Sequence, residues 1–161
     1  GPVLDSIRAA GVLKNLHSLH IRMKQHSANA LYLAEHLSIL GLKIHYPGLT
    51  QHPQHQLMTR LMNPGFGYGG MMTIDVGDYE KAARLMASMQ ESLVGYLAVS
   101  LGYFKTLFSA PAHSTSSEIP EEDREKMGIS TGMIRFSVGL DNDIERSYQR
   151  IKGCLEKERI V

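Results

Sequence analysis

The sequence has a single cysteine, Cys154, and no tryptophan in 161 residues. One thiol excludes an internal disulfide framework, and together with nine methionines it predicts a reducing, cytoplasmic setting. No apolar run reaches the roughly 18 to 20 residues that a membrane span needs. The N-terminus also lacks the charged-then-apolar layout of a secretory signal. Excess charge of either sign is missing too, since 17 basic and 16 acidic residues leave a formal net charge of +1. There is no basic stripe for nucleic acid and no charged block for a membrane surface, so neither partner is expected. Cys154 has no activating neighbour and reads as a small apolar residue beside a buried helical stripe. Gly1-Pro2 reads as an added remnant or as the opening of a chain that starts in mid-sequence.

What is present is enough for one compact domain, with 43% hydrophobic residues. Leu13, Leu16, His20, Met23, Ser27, Ala30, Ala34 and Leu37 recur at spacings of three and four, which predicts one long helix over 6–40, kinked near Gly11 and ended by Gly41 as a left-handed cap. A helix of that length at a domain edge reads as a connector from a partner that precedes it. Leu42 to Tyr46 alternates as a strand, and 54–62 reads as a short helix. Met71 to Val76 is a second strand, followed by a helix from the cap Asp78 to about Glu91 with Tyr79, Ala82, Ala83, Met86 and Met89 inward. Two further strands are expected over 97–101 and 106–109, then a polar loop from Ala112 to Glu118. Pro120 opens a short helix with an acidic first turn, closed by Gly128. A last helix, capped by Asp141 or Asn142, carries Ile144, Tyr148, Ile151 and Leu155. Strands separated by helices predict an α/β sheet covered by helices.

Most chemical motifs fail on context. Gly65 to Gly70 spells G-x-G-x-x-G, but Asn63-Pro64 precedes it and a strand follows, whereas dinucleotide binding needs a strand before and a helix after. The glycines read as a flexible entry to a strand. His52 and His55, like His17 and His20, have the spacing of a metal pair without a third ligand, and no metal site is expected. Ser114, Ser116 and Ser117 lack a nucleophile elbow and a base. Glu121-Glu122 is explained by the helix dipole.

The strand Met133 to Val138 is different because Arg135 lies in its middle. A guanidinium keeps its charge in a protein, so it must face water, a carboxylate or an anionic ligand. Alternation puts Ile134, Phe136 and Val138 on one face and Met133, Arg135 and Ser137 on the other. Two readings stay open here, a solvated outer face or an anion clamp. Ser100, before Gly102, is similarly open between a ligand and a backbone partner.

Taken in order, several segments resemble the C-terminal domain of the Cys/Met-metabolism pyridoxal-phosphate enzymes, the trans-sulfuration group that includes methionine γ-lyases. They are Leu19 to His26, Tyr46-Pro47-Gly48-Leu49, His52 to His55, Gly67 to Met71, Ala98-Val99-Ser100-Leu101-Gly102, Leu107 to Ser109, Ser114 to Ser117, Pro120-Glu121-Glu122, Gly128-Ile129-Ser130 and Gly132 to Leu140. The resemblance implies the small C-terminal domain of a fold-type I enzyme, a mostly antiparallel sheet covered by helices. It assigns 1–40 as a linker helix from a cofactor domain and 41–161 as the domain that holds the substrate carboxylate. It implies that Arg135 clamps the substrate α-carboxylate with Ser100 beside it, and it adds Ser114 to the substrate-binding residues, in a loop where a threonine is usual. None of the lysines stands in a Schiff-base motif, so no catalytic residue is assigned to this chain. Pyridoxal 5'-phosphate would be bound mainly by the N-terminal domain of the same enzyme, in a homotetramer. The implied reaction is γ-elimination from a sulfur amino acid, giving a thiol, 2-oxobutanoate and ammonia. Cystathionine γ-lyase and cystathionine γ-synthase are alternatives within the family, and a stand-alone amino-acid-binding regulatory module is the alternative outside it. The fragment alone is expected to be inactive, with the apolar stripe of 13–37 partly exposed.

Overall fold

A computed structural model describes residues 3–161; Gly1-Pro2 lies outside the described residues. Five strands form one sheet in the order β1-β2-β5-β4-β3. They are β1 (Lys43–His45), β2 (Met71–Asp75), β3 (Tyr96–Leu97), β4 (Leu107–Ser109) and β5 (Met133–Ser137). The pairs β1·β2, β2·β5 and β4·β5 are antiparallel and β3·β4 is parallel, so the sheet is mostly antiparallel as expected.

The core lies on one face of this sheet. Met72, Ile74, Phe108, Ile134 and Phe136 point to it from the strands and Val138 from the segment after β5. They share one buried cluster with α2 (Leu19–Ile39), α4 (Tyr79–Glu91) and α6 (Ile144–Lys157), and α6 packs on the other two helices. Leu33, Ala34 and Leu37 of α2, Ala82, Leu85 and Met89 of α4, and Ile151, Cys154 and Leu155 of α6 are the helical contribution. Cys154 is thus a buried core residue, and the inward faces of α4 and α6 follow the periodicity that amphipathic helices show. Tyr79 departs from the expected inner face and is exposed, its ring stacked on His113 at 3.6 Å between centroids.

The long N-terminal helix is two helices. Helix α1 (Ser6–Leu16) ends at His17, and α2 begins at Leu19 after Ser18. The break is therefore seven residues after Gly11, which sits unstrained inside α1. Arg22 stabilises the junction by donating from Nη2 to the Asn15 carbonyl at 2.7 Å, a group the helix end would otherwise leave unpaired. Helix α1 buries no residue, whereas α2 is buried from His26 onward. Gly41, at φ +81°, closes α2 as the sequence suggested.

Three smaller differences have local causes. The expected strand over 97–101 stops at Leu97, and the 98–105 segment that follows bonds to Ser137 through Gly102 and to Leu140 through Phe104. The cap of α6 is Asp143, which accepts from the Arg146 N–H at 3.1 Å, while Asp141 accepts from the Asp143 N–H at 3.0 Å and from the Ser147 hydroxyl. The 112–118 loop opens with a 3-10 turn, Pro111–His113. The short helices α3 (His55–Leu61) and α5 (Glu121–Lys126) fall where expected.

The glycine-rich entry to β2 is anchored, not loose. The Ser27 hydroxyl of α2 accepts from the Tyr68 and Gly69 N–H groups at 2.6 and 3.0 Å. The buried Tyr46 hydroxyl donates to the Gly69 carbonyl at 2.8 Å, and burial leads the causes that push its pKa up to about 12. Gly67 is at φ +69°, and a Cβ there would run into the Ser27 side chain. Gly67 and Gly70 let the backbone approach α2 closely.

Candidate functional site

Strand β5 carries Arg135 in the centre of the sheet, on the face opposite the core. That face is not a solvated surface, because Met133 and Ser137 are both buried there. The cover is the 98–105 segment and the 3-10 turn, which packs on β5. Ser137 accepts from the Gly102 N–H at 3.0 Å, and the Leu140 N–H donates to the Phe104 carbonyl at 2.8 Å. Gly139 N–H donates to the buried Thr106 hydroxyl at 3.0 Å. The outer face of this strand is thus partly covered by protein at Met133 and Ser137.

Arg135 is half-buried within this cover. Its Nη2 donates to the Val99 carbonyl at 2.8 Å. None of the ion pairs among the described residues includes it. A guanidinium offers five N–H donors, so most of its capacity is left for an anion. The residues directly opposite on either side are Thr73 of β2 and Ser109 of β4. Both hydroxyls are buried without a hydrogen-bond partner, a condition that costs about 1 to 3 kcal/mol each when it persists.

The expected site residues separate. Ser100 is exposed and adjoins Val99, whose carbonyl accepts from Arg135, so the fold brings it near the guanidinium. Ser114 ends the 3-10 turn with its hydroxyl committed to the Ala110 carbonyl at 2.7 Å. Thr73 and Ser109 were missed. Their register with Arg135 is what marks them, and a single strand's alternation does not give register.

The remaining charged groups have structural explanations. Asp75 accepts from the Gly77 N–H at 3.0 Å and pairs with Lys43 at 3.5 Å. Burial raises its pKa, but the Gly77 N–H and the Lys43 ammonium outweigh it, so the carboxyl lies below its ordinary value. His52 has its pKa lowered by burial first and then by His45 and His55. Among the described residues no group of three or more His, Cys, Asp or Glu could hold a metal ion, and no helix is long and apolar enough to cross a membrane.

The family model for Cys/Met metabolism PLP-dependent enzymes matches residues 1–146. The chain belongs to that family. A methionine gamma-lyase of Arabidopsis thaliana is 40% identical over 153 residues, covering 94% of this chain and 35% of the relative. A yeast cystathionine gamma-lyase superposes with a TM-score of 0.82 at 30% identity over 91% of this chain and 37% of that one. A putative O-acetylhomoserine (thiol)-lyase of Campylobacter jejuni, crystallised with an N'-pyridoxyl-lysine-5'-monophosphate, gives 0.81 at 32% identity over 89% and 34%. The chain thus spans little more than a third of these proteins, and it is a fragment of their fold.

The residues present do not make a pyridoxal site. Every lysine is exposed or half-exposed, and Lys43, Lys81, Lys126, Lys152 and Lys157 each pair with a carboxylate. No lysine stands in a cavity beside Arg135, so no chemical step is assigned to the cofactor here.

Proposed function

We propose that this chain is the carboxylate-binding portion of a pyridoxal-phosphate-dependent sulfur amino-acid lyase. The observation that carries the reading is Arg135, half-buried on a covered sheet face with no carboxylate partner among the described residues. A planar guanidinium binds a carboxylate through two parallel N–H···O bonds, which fixes direction as well as distance. Held this way, an α-amino acid presents its Cα–H bond in one orientation, a positional contribution to catalysis. Ser100 borders the same group. Ser114, the third residue of this set, ties its loop to the Ala110 carbonyl through its hydroxyl.

The reaction is γ-elimination of a thiol from methionine, leaving 2-oxobutanoate and ammonia. Support comes from the family match and from the identity to a methionine gamma-lyase. Residues 1–40 connect to the domain that supplies the Schiff-base lysine and most pyridoxal contacts, and the whole enzyme is a homotetramer. The exposed apolar residues Ile7, Val12, Leu13 and Leu16 of α1 are what such a connection would cover.

The test is product analysis on the full-length enzyme encoded by the parent reading frame. Methanethiol and 2-oxobutanoate from L-methionine support the reading. Turnover of cystathionine alone moves the assignment to a related reaction, and a frame without a lysine-bearing cofactor domain overturns it.

A further inference from the structure

Arg135 does not extend straight out from its strand. Its bond to the Val99 carbonyl takes it sideways, because Val99 follows β3 and β4 lies between β3 and β5. The Ala98 N–H still donates to the Phe108 carbonyl at 3.0 Å, so this stretch runs along β4 at that level. Neighbouring strands are about 4.8 Å apart, and the guanidinium therefore crosses roughly two strand spacings. The residue of β4 in register with Arg135 is Ser109. It is 3% exposed, and its hydroxyl has no partner.

We propose that Ser109 is a positioning residue for Arg135: its hydroxyl accepts a guanidinium N–H when two other N–H groups engage a substrate carboxylate. This rests on the carboxylate-clamp reading given above. Three facts converge on it. The serine is the cross-strand partner of Arg135 on the side toward Val99, its oxygen is an unused buried acceptor, and Arg135 has donors to spare. An N–H···O bond to the floor of the site fixes rotation of the guanidinium plane, which two bonds to a mobile ligand leave free. Thr73 flanks Arg135 on the side away from Val99, so the reach of the arginine singles out Ser109.

The experiment uses the full-length holoenzyme and its Ser109→Ala, Ser109→Thr, Arg135→Ala and double Ser109→Ala/Arg135→Ala variants. The readouts are KM and kcat for the amino-acid substrate and Ki for glycine as an unreactive carboxylate probe, with cofactor absorbance and thermal midpoint reporting folding. Ser109→Ala is expected to raise KM and Ki about three- to tenfold with kcat within twofold, the size of one lost hydrogen bond. Ser109→Thr, which keeps the hydroxyl, should restore binding, and Ser109→Ala should add nothing once Arg135 is gone. An unchanged KM and Ki in Ser109→Ala overturns the proposal, as does a threonine variant as weak as the alanine one. If Arg135→Ala itself leaves Ki for glycine unchanged, the clamp reading fails, and that outcome is separate from a failure of Ser109 alone.

Discussion

The Arg135 guanidinium reaches across β4 and donates to the Val99 carbonyl oxygen at 2.8 Å. This contact ties the middle of the last strand to the segment that carries Ser100, although 36 residues separate the partners. It also makes the covering segment part of the site. Gly102 bonds to Ser137 on the same strand at 3.0 Å, so the cover is fastened at two points of β5. Removing the Ser137 hydroxyl leaves the cover with one fastening less and the Gly102 N–H without its acceptor.

Ser137→Ala is therefore expected to loosen residues 98–105 without unfolding the sheet. Hydrogen exchange at the Gly102 amide should speed up, while global stability falls by about 1 kcal/mol. Unchanged protection at Gly102 would show that the bond does not hold the segment.

The core face sets the stability of the domain. Phe136 is fully buried and its ring lies 5.9 Å from that of Phe108. Phe136→Ala leaves a cavity in a close-packed interior and should cost about 3 to 5 kcal/mol, measured by denaturant unfolding. A cost below about 1 kcal/mol would mean that the face is not packed as described.

Much of this architecture was legible in the sequence. The inward stripes of α4 and α6, the Asp78 cap and the alternation of β5 follow from spacing, because burial of an apolar face enforces it. The helix break was not. Gly11 looked like the weak point, but a glycine in an exposed helix costs only about 1 kcal/mol, and the chain turns where Arg22 can satisfy the Asn15 carbonyl. Register was also invisible, and with it the Thr73–Arg135–Ser109 row. Spacing alone left Arg135 between solvent and a ligand. The partial cover of that face comes from contacts 35 and 36 residues apart in the chain, which spacing within one strand does not give.

The anchor between α2 and the glycine-rich entry gives a further expectation. Ser27→Ala strips the acceptor from two N–H groups, those of Tyr68 and Gly69. Stability should fall by about 1 to 3 kcal/mol, as for other buried donors left unpaired. Ser27→Thr keeps the oxygen, and a loss as large as that of alanine would point to packing instead.

Asp75 gives the domain a pH dependence whose sign is fixed. Its carboxyl is held below the ordinary value near 4, so its contribution is present above the unfolded pKa and is lost as pH falls through the folded one. Asp75→Asn should flatten the acid limb of a stability-against-pH curve below about pH 4 and lower stability at pH 7. Parallel acid limbs in the two proteins would contradict this.

The most direct test of the central claim is steady-state kinetics of Arg135→Ala in the full-length holoenzyme, with pyridoxal absorbance recorded on the same samples. Loss of a bidentate charge-assisted clamp should lower kcat/KM for an α-amino acid about 10- to 100-fold while the absorbance stays unchanged. An unaltered kcat/KM would show that Arg135 does not hold the substrate.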